Sequence, residues 1–138
     1  MVNRFEDLDV WKMARELSKG IYLLSISSGL KNDFSLRDQI ARSAGSVMDN
    51  IAEGFERGGR KEFIQFLSYS KGSAGEVRSQ LYRMLDKQYL TPIEFERLLG
   101  KVETISKMLS SLISYLKTSE IKGFKFQEPD EPYGTQEP

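Results

Sequence analysis

Apolar residues recur every three or four positions along four long stretches of the chain. This spacing places them on one face of an α-helix, so it predicts four amphipathic helices. The stretch from Gln39 to Gly54 shows the pattern most clearly, and we interpret it as the middle of a long helix around which the other three pack. The apolar stripe of that helix consists of Leu36, Ile40, Ala44, Val47, Ile51 and Phe55.

The first two helices are expected to begin at residues that commonly cap helices. Asp7 is the predicted N-cap of a first helix over residues 7–26. Ser35 is the predicted N-cap of a second helix that runs to about residue 56, and Asp38 stands three residues later, as in a capping box.

The last two helices are separated by the clearest boundary in the chain. The third helix is expected over residues 61–89. Thr91 then has the features of an N-cap, Pro92 those of a first helical residue, and Glu94 completes the capping box. The fourth helix is therefore expected over residues 92–117.

The connections between these helices are short, near residues 27–34, 57–60 and 89–91. Short connections place successive helices side by side and antiparallel. The sequence therefore predicts an all-α fold, an antiparallel up-down-up-down four-helix bundle over residues 1–118.

The helical pattern stops at residue 119. Residues 119–138 hold three prolines, few aliphatic residues, five acidic residues and two lysines. This composition predicts a disordered acidic C-terminal tail. Phe124 and Phe126 alternate with the lysines, and two possibilities stay open for them: docking on a neighbouring subunit, or flexibility.

A second face of the second helix carries small polar side chains where a solvated face would more often use Lys, Glu and Gln. This polar face consists of Gln39, Arg42, Ser43, Ser46, Asn50, Glu53 and Arg57. Three explanations remain open: a partly buried hydrogen-bond network between helices or subunits, a surface for a ligand or nucleic acid, and ordinary solvated surface. We also expect Glu53 to pair with Arg57, four residues further on.

Two glycines interrupt the third helix, and each costs about 1 kcal/mol relative to alanine. We explain them by the close passage of another helix at Ser70, Gly72 and Ala74. A bulky residue at Gly72 would then destabilise the bundle. Gly54 is expected in the last turn of the second helix.

Trp11 and Tyr22 lie about 20° apart around the first helix and outside its main apolar stripe. Aromatic side chains on a second face either stack on nucleic-acid bases or pack in the core or in a subunit interface. The sequence favours packing.

The turn at residues 57–61 is the most basic point of the chain. Its Arg57, Arg60 and Lys61 surround two glycines, whose exposed N–H groups suit an anion such as a phosphate. These three residues and Arg42 are our candidate contacts to nucleic acid. The sequence favours the alternative, a solvated turn whose cations are balanced by nearby glutamates.

Charge and composition narrow the classes of function. Residues 1–118 hold 18 Lys or Arg and 15 Asp or Glu, a net charge of +3 that only weakly favours a polyanionic partner. The chain has no Cys and no His, which removes thiolate chemistry, the usual catalytic triad and the Glu-x-x-His metal sites of helical bundles. We expect no catalytic residues, no metal and no cofactor.

The N-terminus is too charged for a signal peptide, and no apolar run reaches membrane-spanning length. We therefore expect a cytoplasmic protein that does not associate with a membrane.

Three blocks of residues make the chain recognisable. The central block is Gln39, Arg42 and Ser46 followed by Asn50-Ile51-Ala52-Glu53-Gly54. The other two blocks are Phe5, Leu8 and Trp11, and Phe63, Phe66 and Leu67 with Gly72-Ser73-Ala74 and Glu76. Together they resemble the small bacterial proteins encoded within intervening sequences of large-subunit ribosomal RNA genes. Ser43 and Val47 depart from that pattern, where Ala and Ile are usual.

The resemblance covers about residues 5–116 and implies an antiparallel four-helix bundle that assembles as a ring-like homopentamer, with no established enzyme activity. The accessory proteins of diversity-generating retroelements look similar in fold, and they associate with a reverse transcriptase and with nucleic acid. The resemblance thus implies the protein itself, RNA or DNA, and a protein partner as possible binding partners.

Three functional hypotheses follow. The first is a non-enzymatic homo-oligomer that associates with RNA or DNA through weak basic patches repeated around a ring. The second is an adaptor or assembly scaffold, for example for a reverse transcriptase, without direct contact to nucleic acid. The third, an enzyme, is disfavoured because the chain lacks His, Cys and a nucleotide-binding motif. We favour the first.

Overall fold

A computed structural model of the chain describes residues 2–119, and these form a bundle of four long helices. The helices are α1 (Asp9–Ser27), α2 (Phe34–Glu56), α3 (Arg60–Asp86) and α4 (Pro92–Thr118). Short 3-10 helices at Phe5–Asp7 and Gly29–Asn32 precede α1 and α2. The prediction of an all-α four-helix bundle is confirmed.

Contacts between the helices show how they run. In the α2–α3 pair, Gln39 meets Arg83 and Ser46 meets Ser73, so residue numbers rise along one helix as they fall along the other. α1 packs against both α2 and α4, which closes the bundle. α2 and α3 therefore run antiparallel, and the hydrogen bond from Arg60 at the start of α3 to the Leu116 carbonyl near the end of α4 shows the same for α3 and α4.

The apolar stripes predicted from the sequence meet along the axis of the bundle. The stripe residues of α2, from Leu36 to Phe55, are almost completely buried. The core also includes Leu30, which lies in the connection between α1 and α2, where the sequence analysis placed only a loop.

Two of the predicted caps are wrong. α1 begins at Asp9 after Leu8, because Asp7 is taken up by the preceding 3-10 turn and its side chain caps nothing. α2 is capped by Asp33, whose carboxylate accepts a hydrogen bond of 3.2 Å from the Leu36 N–H. Ser35 already lies within the helix and accepts a hydrogen bond from Gln39.

Asp33, and not Ser35, caps α2 because further partners hold the Asp33 carboxylate in place. Its second carboxylate oxygen accepts hydrogen bonds of 2.9 Å from the Lys87 ammonium and from the Tyr89 hydroxyl. α3 ends at Asp86 and not at residue 89 because Gln88 takes a left-handed conformation, with φ 61°, and the Tyr89 N–H donates to the Met84 carbonyl. The turn that follows carries Lys87 and Tyr89 back to Asp33 at the start of α2. The capping box of Thr91 and Glu94 is confirmed.

The close approach of two helices occurs at a different glycine from the predicted one. A Cβ atom at Gly72 would meet no atom within 4 Å, so the explanation offered for that residue is wrong. A Cβ atom at Gly54 would lie 2.6 Å from the Phe66 Cβ and 3.1 Å from the Phe63 ring. Gly54 is therefore the position at which α2 and α3 need the absence of a side chain.

The predicted tail lies almost entirely outside the described residues, which end at Ser119, and so do Phe124 and Phe126. The division into a bundle and a tail stays a prediction. Among residues 2–119, the structure contains no helix that is long and apolar enough to cross a membrane.

We predict opposite effects for alanine at the two glycines. Gly54→Ala should destabilise the protein by about 1–3 kcal/mol, because the methyl group forces α2 and α3 apart. Gly72→Ala should stabilise it by about 0.5–1 kcal/mol, because the site is open and alanine favours the helix. Urea unfolding of both variants measures the difference. Equal effects would contradict the assignment of the contact to Gly54.

A second prediction concerns acid. The Lys87 ammonium, the Tyr89 hydroxyl and the Leu36 N–H together lower the pKa of Asp33 from 3.8 to about 2. A lowered folded-state pKa stabilises the fold above the unfolded-state pKa, and this stabilisation is lost as the pH falls from about 4 to about 2. Asp33→Asn keeps a capping side chain but has no charge, so its melting temperature should lie below that of the natural protein at pH 6 and converge with it near pH 2. Thermal unfolding of both proteins between pH 6 and pH 2 tests this prediction. A difference in melting temperature that does not change with pH would refute it.

Candidate functional site: the polar seam between α2 and α3

The small polar residues of α2 face α3 and join the two helices. The Ser46 and Ser73 hydroxyls share a hydrogen bond of 2.8 Å, and the Asn50 amide donates to both the Ser46 hydroxyl and the Ser46 carbonyl. One turn away, the buried Ser70 hydroxyl donates to the Val47 carbonyl at 2.6 Å. We call this set of contacts the polar seam.

The polar seam continues to the far end of α3. The Arg83 guanidinium donates a hydrogen bond of 3.1 Å to the Gln39 amide oxygen, and the Gln39 amide nitrogen donates to Ser35. Of the three explanations left open for this face, the structure supports a partly buried network between helices for Gln39 and Ser46, and Asn50 joins it through its bonds to Ser46 within α2. Ala74 is buried beside it, as part of the core.

An open cleft of about 300 Å³ lies along the polar seam. We call it the α2–α3 cleft, and its lining residues are Gln39, Arg42, Ser43, Ser46, Glu76 and Gln80. Arg42 and Glu76 are exposed on its two walls, whereas Gln80 is buried on the α3 side. The sequence analysis missed Gln80, because a glutamine gives no signal of being buried on an amphipathic helix.

Two cations of the basic turn make contacts within the chain. Arg57 forms an ion pair of 2.8 Å with Glu53, as predicted, and its guanidinium lies 4.9 Å from the centre of the Phe66 ring. Arg60 donates hydrogen bonds to the carbonyl oxygens of Leu116 and Ser119, so it caps the C-terminal end of α4.

The Arg57 side chain stays 52 % exposed despite its ion pair, so Arg60 is the one cation of the turn that is taken up by hydrogen bonds within the described chain. Lys61 is exposed. The assignment of Arg57, Arg60, Lys61 and Arg42 to nucleic acid stays a prediction.

The two aromatic residues of α1 have different surroundings. Trp11 is half-buried against the core and meets the Phe5 ring edge-on, with 5.2 Å between ring centres. Trp11 therefore packs against the core of its own chain. Tyr22 is 60 % exposed, so it does not belong to the core of its own chain.

A second cationic surface lies on α1, and the sequence analysis missed it. Lys12, Arg15 and Lys19 follow the i, i+3, i+7 spacing that places them on one side of the helix, and with Glu16 they line a groove of about 360 Å³. We call this surface the α1 basic groove. The spacing was readable from the sequence, where three basic and two acidic residues alternate along α1.

The glutamate in this groove is neutralised from another helix. The Lys101 ammonium of α4 lies 3.4 Å from the Glu16 carboxylate. Lys101 therefore links α4 to α1. Lys12 and Asp9 lie 4.0 Å apart and are both exposed, which makes their ion pair weak. The groove keeps a net positive charge. No group of three His, Cys, Asp or Glu side chains that suits a metal ion occurs within residues 2–119.

Together, the fold and the polar seam define a small helical-bundle protein whose second and third helices are joined by polar contacts. The model of the 23S rRNA-intervening sequence protein family matches residues 6–111, so the chain belongs to this family. This confirms the resemblance inferred from the three sequence blocks. No curated protein matches the chain.

A solved structure agrees with this assignment. It is a protein of unknown function from the S23 ribosomal protein family of Bacteroides thetaiotaomicron, and it superposes with a TM-score of 0.68 at 25 % sequence identity. The match covers 76 % of this chain and 95 % of the other. The shared fold thus extends over nearly the whole of that protein.

The polar seam yields a third prediction. Asn50→Leu removes both hydrogen bonds to Ser46, and we expect it to lower the free energy of unfolding by about 1–2 kcal/mol. Gln65→Leu on α3 serves as a control, because Gln65 is exposed and the same change there should be nearly neutral. Chemical unfolding and light scattering of both variants test it. If Asn50→Leu changes neither stability nor mass, the polar seam does not stabilise the bundle.

Proposed function

We propose that this protein is a non-enzymatic homo-oligomer that associates with RNA or DNA through weak basic patches repeated around the assembly. The observation that carries the proposal is the α1 basic groove. Three cations lie there on one side of a helix, and the one glutamate between them is held by Lys101. Phosphate groups bind such surfaces, and the binding weakens as salt rises.

Aromatic groups beside the groove add to this proposal. The Arg15 guanidinium lies 5.8 Å from the centre of the Trp11 ring, and the exposed Tyr22 follows Lys19 by three residues on the same helix. Cations next to an exposed aromatic ring suit a single strand, because phosphates meet the cations while a base stacks on the ring.

One groove of three cations is too small for firm binding, so the proposal needs several subunits. When identical weak sites are linked in one assembly, binding at one site raises the effective concentration of nucleic acid at the next. A ring, such as the homopentamer that the family resemblance implies, provides this arrangement. We place such an assembly in the cytoplasm.

The alternative is a protein-binding adaptor or scaffold, for example for a reverse transcriptase, and a specific observation favours it. Six of the exposed large apolar side chains lie near the end of the bundle where α1 and α3 finish and α2 and α4 begin. They are Tyr22, Leu23, Ile26, Phe34, Tyr82 and Ile93. Exposed apolar residues concentrated in this way are typical of surfaces that bind proteins.

The fourth prediction separates these two functions. We expect the triple change of Lys12, Arg15 and Lys19 to Ala to weaken binding of a structured RNA, and to lower the slope of log affinity against log salt by roughly 2. Changing Arg97, Lys107 and Lys117 of α4 to Ala removes the same charge from scattered exposed positions, and it should have a smaller effect.

Filter binding at several salt concentrations measures the affinity, and light scattering with and without RNA measures the mass. A third variant, with Arg57, Arg60 and Lys61 changed to Ala, tests the basic turn. Equal effects of the α1 and α4 variants would contradict the groove. An oligomer that ignores RNA at low salt would favour the scaffold, and a monomer would exclude the repeated-patch mechanism.

A further inference from the structure

We propose that the α2–α3 cleft binds a guanine base of single-stranded RNA, with Gln80 and Glu76 accepting hydrogen bonds from the base and Arg42 donating to it. This inference rests on the proposed function, because it assigns a base-binding site to a protein that we propose to bind nucleic acid.

The first observation is a buried acceptor that nothing satisfies. Gln80 is only 8 % exposed, and its amide oxygen is buried without a hydrogen-bond donor among residues 2–119. It is the one side-chain atom of this kind in that part of the chain. An unpaired buried oxygen destabilises a fold, so it calls for an explanation. A ligand that donates to it provides one.

The other uncharged polar side chains around the cleft already have partners. The Ser43 hydroxyl donates to the Gln39 carbonyl at 3.0 Å, and the Gln39 amide oxygen accepts from Arg83. Ser46 bonds to Ser73. Gln80 is therefore an exception within a well-satisfied polar seam, and it lies at the cleft.

The second observation is a cation and an anion that face the cleft unpaired. Arg42 lies one turn before Ser46 on α2, and Glu76 lies three residues after Ser73 on α3. Because Ser46 meets Ser73 and the helices are antiparallel, Arg42 and Glu76 stand at about the same level on opposite walls. Neither forms an ion pair with the other or with another described residue.

These groups match the hydrogen-bonding edges of guanine. Its Watson–Crick edge presents two adjacent donors, N1–H and the 2-amino group, and the acceptors at Glu76 and Gln80 suit them. Its other edge presents O6 and N7, and arginine pairs with these two atoms more often than with any other base edge. Adenine, cytosine and uracil each lack both of these features.

Charge and size argue against other ligands. Arg42 and Arg83 place two positive charges near the single negative charge of Glu76, so a cationic amine or guanidinium is disfavoured and a ligand with phosphates is favoured. The cleft volume of about 300 Å³ lies at the lower limit for small-ligand sites, which suits one base. A base turned out from a single strand fits such a site while its backbone stays in solvent.

The test uses the full chain and three labelled RNA pentamers that differ only at the central position, which is guanosine, inosine or adenosine between uridines. Fluorescence anisotropy at low salt measures the affinity. We expect guanosine to bind about tenfold more tightly than adenosine. Inosine should fall between them, because it lacks the 2-amino group.

Two variants test the residues. Glu76→Gln replaces one acceptor by a donor, and Gln80→Met keeps the length of the side chain without its oxygen. Both should abolish the preference for guanosine. Gln80→Met should also raise the melting temperature, because it removes the unpaired buried oxygen, so lost selectivity in this variant does not reflect misfolding. Glu103→Gln on α4 is the control and should keep the preference.

The outcomes separate this inference from the proposed function. Equal affinity for the three pentamers, or a guanosine preference that survives in both variants, overturns the base site and leaves RNA binding intact. If no pentamer binds at low salt, filter binding of the structured RNA decides on the proposed function, and titration with guanosine monophosphate decides on the cleft alone. Thermal stabilisation by this nucleotide that is lost in Gln80→Met supports the site, and the absence of stabilisation overturns it.

Discussion

The close packing of α2 on α3 is the constraint on which the other features depend. At Gly54, the missing side chain lets the Phe63 and Phe66 side chains approach the backbone of α2. Further along the same pair, hydroxyl groups replace bulky side chains and bond across the gap, as between Ser46 and Ser73. Small residues thus bring the helices together, and polar atoms fix their register. Both the cleft and the orientation of its charged walls result from this register.

Most of the fold was predictable from the sequence because the fold depends mainly on periodic burial, and every turn of each helix carries that period. The predictions failed where two residues could fill the same structural position. Asp33 replaced Ser35 as the cap of α2 because Lys87 and Tyr89, which are distant in sequence, hold its carboxylate. Gly54 and Gly72 both lie within predicted helices, and only the distance to the opposite helix shows which of them stands at a close contact.

The candidate sites were harder to predict because the role of a charged side chain depends on the residues that it contacts in the folded chain. Arg57 and Arg60 looked available in the sequence, but one pairs with Glu53 and the other caps α4. Lys12, Arg15 and Lys19 were not singled out from the sequence, and only the structure shows that Lys101 of α4 pairs with the glutamate among them. Gln80 could not be recognised in the sequence, because what distinguishes it is a buried amide oxygen without a hydrogen-bond donor among the described residues.

The two ends of the bundle are held by contacts that differ in chemistry. At one end, the carboxylate of Asp33 ties the start of α2 to the turn after α3. At the other, Arg60 ties the start of α3 to backbone carbonyl oxygens at the end of α4. A carboxylate takes up a proton in acid, whereas neither a guanidinium nor a carbonyl group changes its charge there. Acid therefore affects the two ends of the bundle unequally. It weakens the contacts of Asp33 first, while the hydrogen bonds of Arg60 persist.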